Sequence, residues 1–227
     1  MSEIENRMEL EARVAREMGR LSGSHRRELE ELLGNPPDAS RVPPSFWDKV
    51  QRETENTMLL LLLLIAAESA MHHGLTDQPT AQASVRPWAE EQAATISRQW
   101  TDNSKDLLAT GQRDWEDSIQ SDAPITRGDV RDRTLKIFGP SRVEGLAVNE
   151  TTRANHAGGE AAVGQLGGIS NDDTWFTALD GKVCEICGPL HDTPREQWAR
   201  FFPAGPPAHP RCRCFVVYAF EKAEAVT

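Results

Sequence analysis

From Trp175 to His191 the chain reads "WFTALDGKVCEICGPLH", and at this point a long helical pattern gives way to a different one. Trp175 to Leu179 carries strand-forming residues. Asp180-Gly181 is the dipeptide a type I′ hairpin turn favours, because both central residues need positive φ. The reading is a strand over Trp175–Leu179, a turn at Asp180-Gly181, and a return strand "KVC" that leads into Cys184. A short helix is expected at "TPREQWARF" (193–201), then a proline-rich loop "FPAGPPAHP" (202–210) and a final strand "CFVVYAF" (214–220).

This stretch and "HPRCRC" (209–214) together hold all four cysteines of the chain. Cys184-x-x-Cys187-Gly188 has the form of a zinc knuckle: two thiolates three positions apart on a tight turn reach one ion, and glycine lets the backbone pass beneath them. His209-x-x-Cys212 repeats the spacing with an imidazole first. With His191 and Cys214 there are six candidate ligands, where a structural zinc takes four. Knuckle symmetry favours Cys212 as the fourth. Cys214 is the alternative, because residues two apart on an extended chain share a face. The expectation is one structural zinc per chain in a closed Cys3His site, with the fourth ligand left open between Cys212 and Cys214.

Ligands in surplus argue against a catalytic zinc, which keeps an open position. His156 and Glu160 lack the His-x-Glu spacing of zinc deaminases. The chain has no Walker-type glycine loop, no His-Glu-x-x-His and no Gly-x-Ser-x-Gly, so a non-enzyme is expected.

Upstream of Ser170 the pattern is helical. Ser2 and Glu5 have capping-box spacing and open an amphipathic helix through Leu21; Ser24 is read as capping a second, short helix that ends at Gly34. "NPPDASRVPPS" (35–45) is the clearest linker. A helix then runs from Ser45 to Gly74 through the apolar run "MLLLLLLIAA" (58–67), which is well short of the roughly 20 residues a membrane span needs and reads as a core helix. Further helix carries Trp88, Trp100 and Trp115 as packing anchors, with a break or kink near Pro87. Thr126 with Asp129 and Ser141 with Glu144 are capping-box spacings that open two more helices, the second ending at Gly167-Gly168. His72-His73 is read as a helix end, Asp172-Asp173 as a loop cap or solvated pair, and Arg153, Asn155 and His156 as a polar helix surface. The fold class is α+β: a mainly helical N-terminal two-thirds followed by a small β-rich module. Expected segments are 1–74 with its linker at 35–44, 75–169, and 170–227.

A formal net charge of −10 over 227 residues argues against a general electrostatic grip on nucleic acid or on an anionic membrane. A local basic patch survives, Arg195, Arg200, Arg211 and Arg213 against Glu196, and Arg200, Arg211 and Arg213 beside the knuckles motivate a zinc-dependent nucleic-acid-binding module as the alternative function. The opening "MSEIENRMEL" lacks signal-peptide character, so synthesis in a cytoplasm, reduced thiols and no membrane association are expected.

"WFTALDGKVCEICGPLHD", "FPAGPPAHP" and "HPRCRCFVV" together resemble the C-terminal signature of the phage Mu protein F-like minor head proteins, also called phage head morphogenesis proteins. The upstream segment "RVEGLAVNETTRANHAGGEAA" is similar to the helix that precedes that signature, so the resemblance covers about Ser141 to Val217. It implies Cys184, Cys187, His209, Cys212 and Cys214 as the metal-site positions. It does not extend to His191, where the family has a Leu-Asp-Gly turn and this chain reads Leu190-His191-Asp192. It further implies a tailed-phage virion protein at the portal vertex of the head, made in the host cytoplasm and acting in head assembly, DNA packaging or ejection. The implied partners are the portal protein, with major capsid or scaffold protein and packaged DNA as further candidates. The chain stops 13 residues after Cys214, so no appended toxin or enzyme domain is expected.

Overall fold

The computed structural model of the chain describes residues 6–121, 123, 125–178 and 183–219. Helices come first: α1 (Arg7–Leu33), α2 (Pro44–His72), α3 (Gln78–Gln120), α4 (Arg127–Phe138) and α5 (Pro140–Leu166). The strands β1 (Thr174–Phe176), β2 (Thr193–Pro194) and β3 (Phe215–Val217) follow, with a one-turn α6 (Arg195–Trp198) between the last two. This is the expected α+β order. The Ser2/Glu5 capping box lies outside the described residues.

Several helix ends follow from their residues. Gly74 takes φ +109, the Leu75 N–H reaches the Ala70 carbonyl and the Gly74 N–H reaches that of Met71, which is a Schellman closure of α2. Gly34, at φ +71, ends α1 in the same left-handed region. The Thr126/Asp129 capping box forms as read, with the Thr126 side chain accepting from the Asp129 N–H and the Asp129 carboxylate accepting from the Thr126 N–H.

Three helix expectations need correction. The chain does not break at Ser24: α1 is continuous, because its buried stripe Val14, Met18, Leu29 and Leu33 is completed by two polar residues with partners. Ser22 donates to the Phe138 carbonyl at 2.7 Å, and the buried His25 ring lies beside Phe46 and Phe138 with Nε2 2.9 Å from Glu53. Nor does Pro87 end a helix. It sits inside α3 on an exposed face, where water can satisfy the carbonyl left without a donor, while Ala81, Val85, Ala89, Ala93 and Ile96 stay buried at helical spacing. Finally, α5 begins at Pro140 in the first-turn position that proline suits, so Ser141 is inside the helix and not its cap.

The chain gathers into two compact units, Met1–Val14 with Leu60–Glu90 and Gly145–Thr227, and Ala15–Leu59 with Glu91–Glu144. Both combine non-consecutive stretches, whereas the sequence suggested three consecutive segments. In the second unit Trp100, Trp115, Phe46, Ile137 and Phe138 are buried, and the Arg142 guanidinium stacks 4.1 Å over the Trp100 ring. In the first, the leucine run is mostly core as expected, with Leu61, Leu62, Leu63 and Ile65 buried. Among the described residues α2 is the one helix long and apolar enough to cross a membrane, and 56% of its apolar window is buried within the protein.

β1 is the central strand, antiparallel to β2 on one side and β3 on the other, with Trp175 opposite Thr193 and Val216. The return strand read at "KVC" is therefore corrected. Leu179 to Lys182, with the Asp180-Gly181 turn, lie outside the described residues, and Val183 and Cys184 are not in a strand. The Trp175 carbonyl accepts from the Asp192 N–H and the Thr177 N–H donates to His191 Nδ1, so residues after the knuckle take the place expected for those before it. Pro194 sits in β2, an edge strand, where a missing N–H is tolerated. Trp175, Trp198, Val216, Tyr218 and Val163 of α5 share one core with Cys187, Cys212 and Cys214.

Gly158 of α5 marks a close approach of α5 to α2, since a Cβ there would overlap the Ala66 carbonyl of α2 and come within 2.7 Å of Ser69 Cβ. Gly158→Ala is expected to cost about 1–3 kcal/mol through overpacking. Gly164→Ala, on the same helix with open space at its Cβ, should instead stabilise by about 0.5–1 kcal/mol. Thermal unfolding of both variants checks the opposite signs.

Candidate metal centre

Two turns bring the donors together. In the first, the Gly188 N–H donates to the Cys184 carbonyl at 2.9 Å, and Pro189 and Leu190 continue as a single 3-10 turn. In the second, the Cys212 N–H donates to the His209 carbonyl at 3.1 Å, with Arg211 held at φ +63 and its N–H donating to Asn149 of α5. A non-glycine residue in that region carries backbone strain, which surrounding contacts must hold.

The two turns place Cys184 Sγ and Cys187 Sγ 3.1 and 3.0 Å from His209 Nε2, and Cys187 Sγ 3.7 Å from Cys212 Sγ. Cys184, Cys187 and His209 form one group whose donor atoms all lie within 4.8 Å of one another; Cys187, Cys212 and Cys214 form a second. The five residues read from the sequence are thus one cluster centred on Cys187, and it could hold a metal ion. Sulfurs bound about 2.3 Å from a tetrahedral ion stand about 3.7 Å apart, which the Cys187–Cys212 pair already matches.

The donor set also has the chemistry for it. His209 Nδ1 lies 2.8 Å from the Pro210 carbonyl, which can only accept, so the proton sits on Nδ1 and the Nε2 lone pair faces the thiols. Burial pushes the Cys187 thiol up to about 12. Cys212 is held down to about 5, chiefly by the hydrogen bond from the Cys214 thiol, and Cys214 is raised because it is that donor. Cys184, at the edge, is lowered mainly by the Cys187 backbone N–H. Alone, the buried cluster therefore favours one thiolate stabilised by its neighbours. A cation supplies the charge that lets three thiolates coexist.

His191 falls outside the cluster, as read: its Nδ1 accepts from the Thr177 N–H at 3.2 Å and its ring meets Phe176 edge-on. Of the polar helix surface expected at Arg153, Asn155 and His156, Arg153 keeps 43% of its side chain exposed, and the other two are corrected. Asn155 is buried and accepts from Ser69 Oγ at 2.9 Å, and the His156 side chain is only 9% exposed, packed against Gly205. Asp173 is not solvated either. One carboxylate oxygen accepts from the Ser170 N–H and Arg195 Nε and the other from the Ala219 N–H, while its carbonyl accepts from the Trp198 indole. His73 is buried edge-on against Tyr218.

The supports that sequence reasoning missed come from α1 and α5. Arg7 Nη1 donates to the Arg213 carbonyl at 2.9 Å, its Nε pairs with Glu11, and its Nη2 donates to Thr152 Oγ1. Thr152 Oγ1 in turn lies 2.7 Å from the Cys212 carbonyl, and the Arg213 guanidinium pairs with Glu11 at 3.2 Å. The backbone carrying the last two cysteines is thus clamped by residues some 60 and 200 positions away. The Arg7–Glu11 spacing of four was the one local signal, and it is common on any helix.

Burial and the nearby Arg195 guanidinium lower the His156 pKa to about 3. The unfolded chain takes up that proton near the ordinary value of about 6.5. Between those values the unfolded state binds more protons, so stability is full above pH 6.5 and falls as pH drops towards 3. Wild type should lose about 1–2 kcal/mol more than His156→Gln between pH 7 and pH 5, measured by urea unfolding; equal losses would contradict this. Compared with protein-family models, with curated proteins and with solved structures, the chain matches none.

Proposed function

We propose that the chain is a minor head protein of a tailed bacteriophage, bound at the portal vertex and acting in head assembly, DNA packaging or ejection. One structural zinc ion holds its C-terminal module. The observation that carries the reading is the convergence of Cys184, Cys187, His209, Cys212 and Cys214, the positions implied by the resemblance, into one cluster in which Cys187, Cys212 and Cys214 are buried and Cys184 and His209 half-buried. Zinc suits it because thiolates and imidazole in tetrahedral array are its usual structural ligands, and because surplus donors leave no open position for catalysis. The protein is then an interaction protein, whose helical surfaces meet the portal protein and, secondarily, major capsid or scaffold protein.

Packaged DNA is the remaining candidate partner, and the second reading, a zinc-dependent nucleic-acid-binding module, rests on the arginines beside the cysteines. Arg200 and Arg211 are exposed there, while Arg213 is engaged by Glu11. DNA binding through this face would weaken steeply with salt and with charge reversal at Arg200 and Arg211.

Protein purified without chelator should carry about one zinc per chain by elemental analysis, and Cys184→Ser should lose it and unfold chiefly the region after Ser170. The portal protein encoded beside this chain should co-purify with it in at least one assembly state. A metal-free protein with an intact C-terminal fold would refute the zinc assignment; no portal binding in any assembly state would refute the placement at the vertex.

A further inference from the structure

The cluster offers one donor more than a tetrahedral ion uses, and the spare is not placed at random. Cys184, Cys187 and His209 make one triad, and among the described residues no further Cys, His, Asp or Glu donor is grouped with all three. Cys212 and Cys214 stand in the same relation to Cys187, each within 4.8 Å of it and of each other, and both are buried, at 2% and 3% exposure. Both side chains turn to the same side, since both thiols lie within 4.8 Å of Cys187. The backbone between them is pinned, with the Cys212 carbonyl at Thr152 and the Arg213 carbonyl at Arg7. Cys187 is shared by both groups, so an ion held by Cys184, Cys187 and His209 lies on the side of Cys187 from which either thiol of the pair is recruited, and a change of χ1 between staggered wells is the motion that exchanges them.

We infer that the fourth ligand is interchangeable: either Cys212 or Cys214 completes the set with Cys184, Cys187 and His209, and the site keeps its ion when either is lost. This rests on the zinc reading given above and deepens it. The thiol out of coordination stays within 4.8 Å of the other and of Cys187. Such a staple tolerates the loss of one thiol of the pair and no loss from the triad.

The test uses the full chain and its Cys212→Ser, Cys214→Ser, Cys214→Val, Cys187→Ser and Cys212→Ser/Cys214→Ser variants. Zinc affinity is read by competition with a chromophoric chelator, and cobalt(II) loading reports the number of thiolates through its sulfur-to-metal charge-transfer band. Every single variant at Cys212 or Cys214 should bind one ion per chain within about tenfold of wild type and keep the three-thiolate cobalt spectrum. The double variant and Cys187→Ser should bind at least about 100-fold more weakly. Cys214→Val refills the core space that serine leaves polar, so a packing defect in Cys214→Ser is recognised by recovery in Cys214→Val. Loss in Cys212→Ser, or in both Cys214 variants, as complete as in Cys187→Ser would overturn the inference and leave zinc binding intact. Two ions per wild-type chain would overturn it as well, since Cys187 would then bridge the two triads. A wild type that binds no zinc would remove the metal reading and this inference together.

Discussion

The module after Ser170 depends on gathering several buried sulfur ligands around Cys187. Its sheet has strands of three, two and three residues, too short to stand alone in water. What holds it is a core of Trp175, Trp198, Val216 and Tyr218 that includes three of the cysteines themselves. Buried thiols without a cation are costly to ionise together, so the same residues that fill the core make it incomplete as a purely apolar one. A metal ion at the cluster would resolve both demands, since it would neutralise the thiolates and tie the knuckle at Cys184–Cys187 to the turn at His209–Cys212.

The module is also backed from outside. Arg7 and Glu11 of α1 and Thr152 and Asn149 of α5 hold the carbonyls and N–H groups of residues 211–213. A buried carboxylate, Asp173, joins the start of β1 to Arg195 and to the chain after β3. Removing one partner from such a network leaves another charge buried and unpaired, which is why these residues bear on the cluster without touching a metal. On the proposed reading as a phage head protein, this backed module and the helices would carry the surfaces that meet partners, and the metal would be structural.

The clustered residues were legible in the sequence because their spacing is local: Cys-x-x-Cys and His-x-x-Cys are each readable within four residues. The helix caps at Thr126 and the end of α2 at Gly74 were legible for the same reason. The strand partners of Trp175 were not, because register was decided by His191 and Asp192 taking its neighbours' hydrogen bonds across the knuckle. Continuity through Ser22–His25 and Pro87 likewise depended on tertiary partners and on which helix face met water. The Arg7–Glu11–Thr152 clamp joins residues far apart in the chain, and no short-range pattern announces it.

The central claim, that a bound ion holds the module together, is tested most directly by hydrogen exchange on the zinc-loaded protein before and after chelation. Metal removal is predicted to release the amides of Asp192, Gly188 and Cys212, which close β1–β2 and the two turns, while amides of α2 around Leu62 to Ala66 keep their protection. Unchanged protection at the three amides after complete metal loss would contradict it.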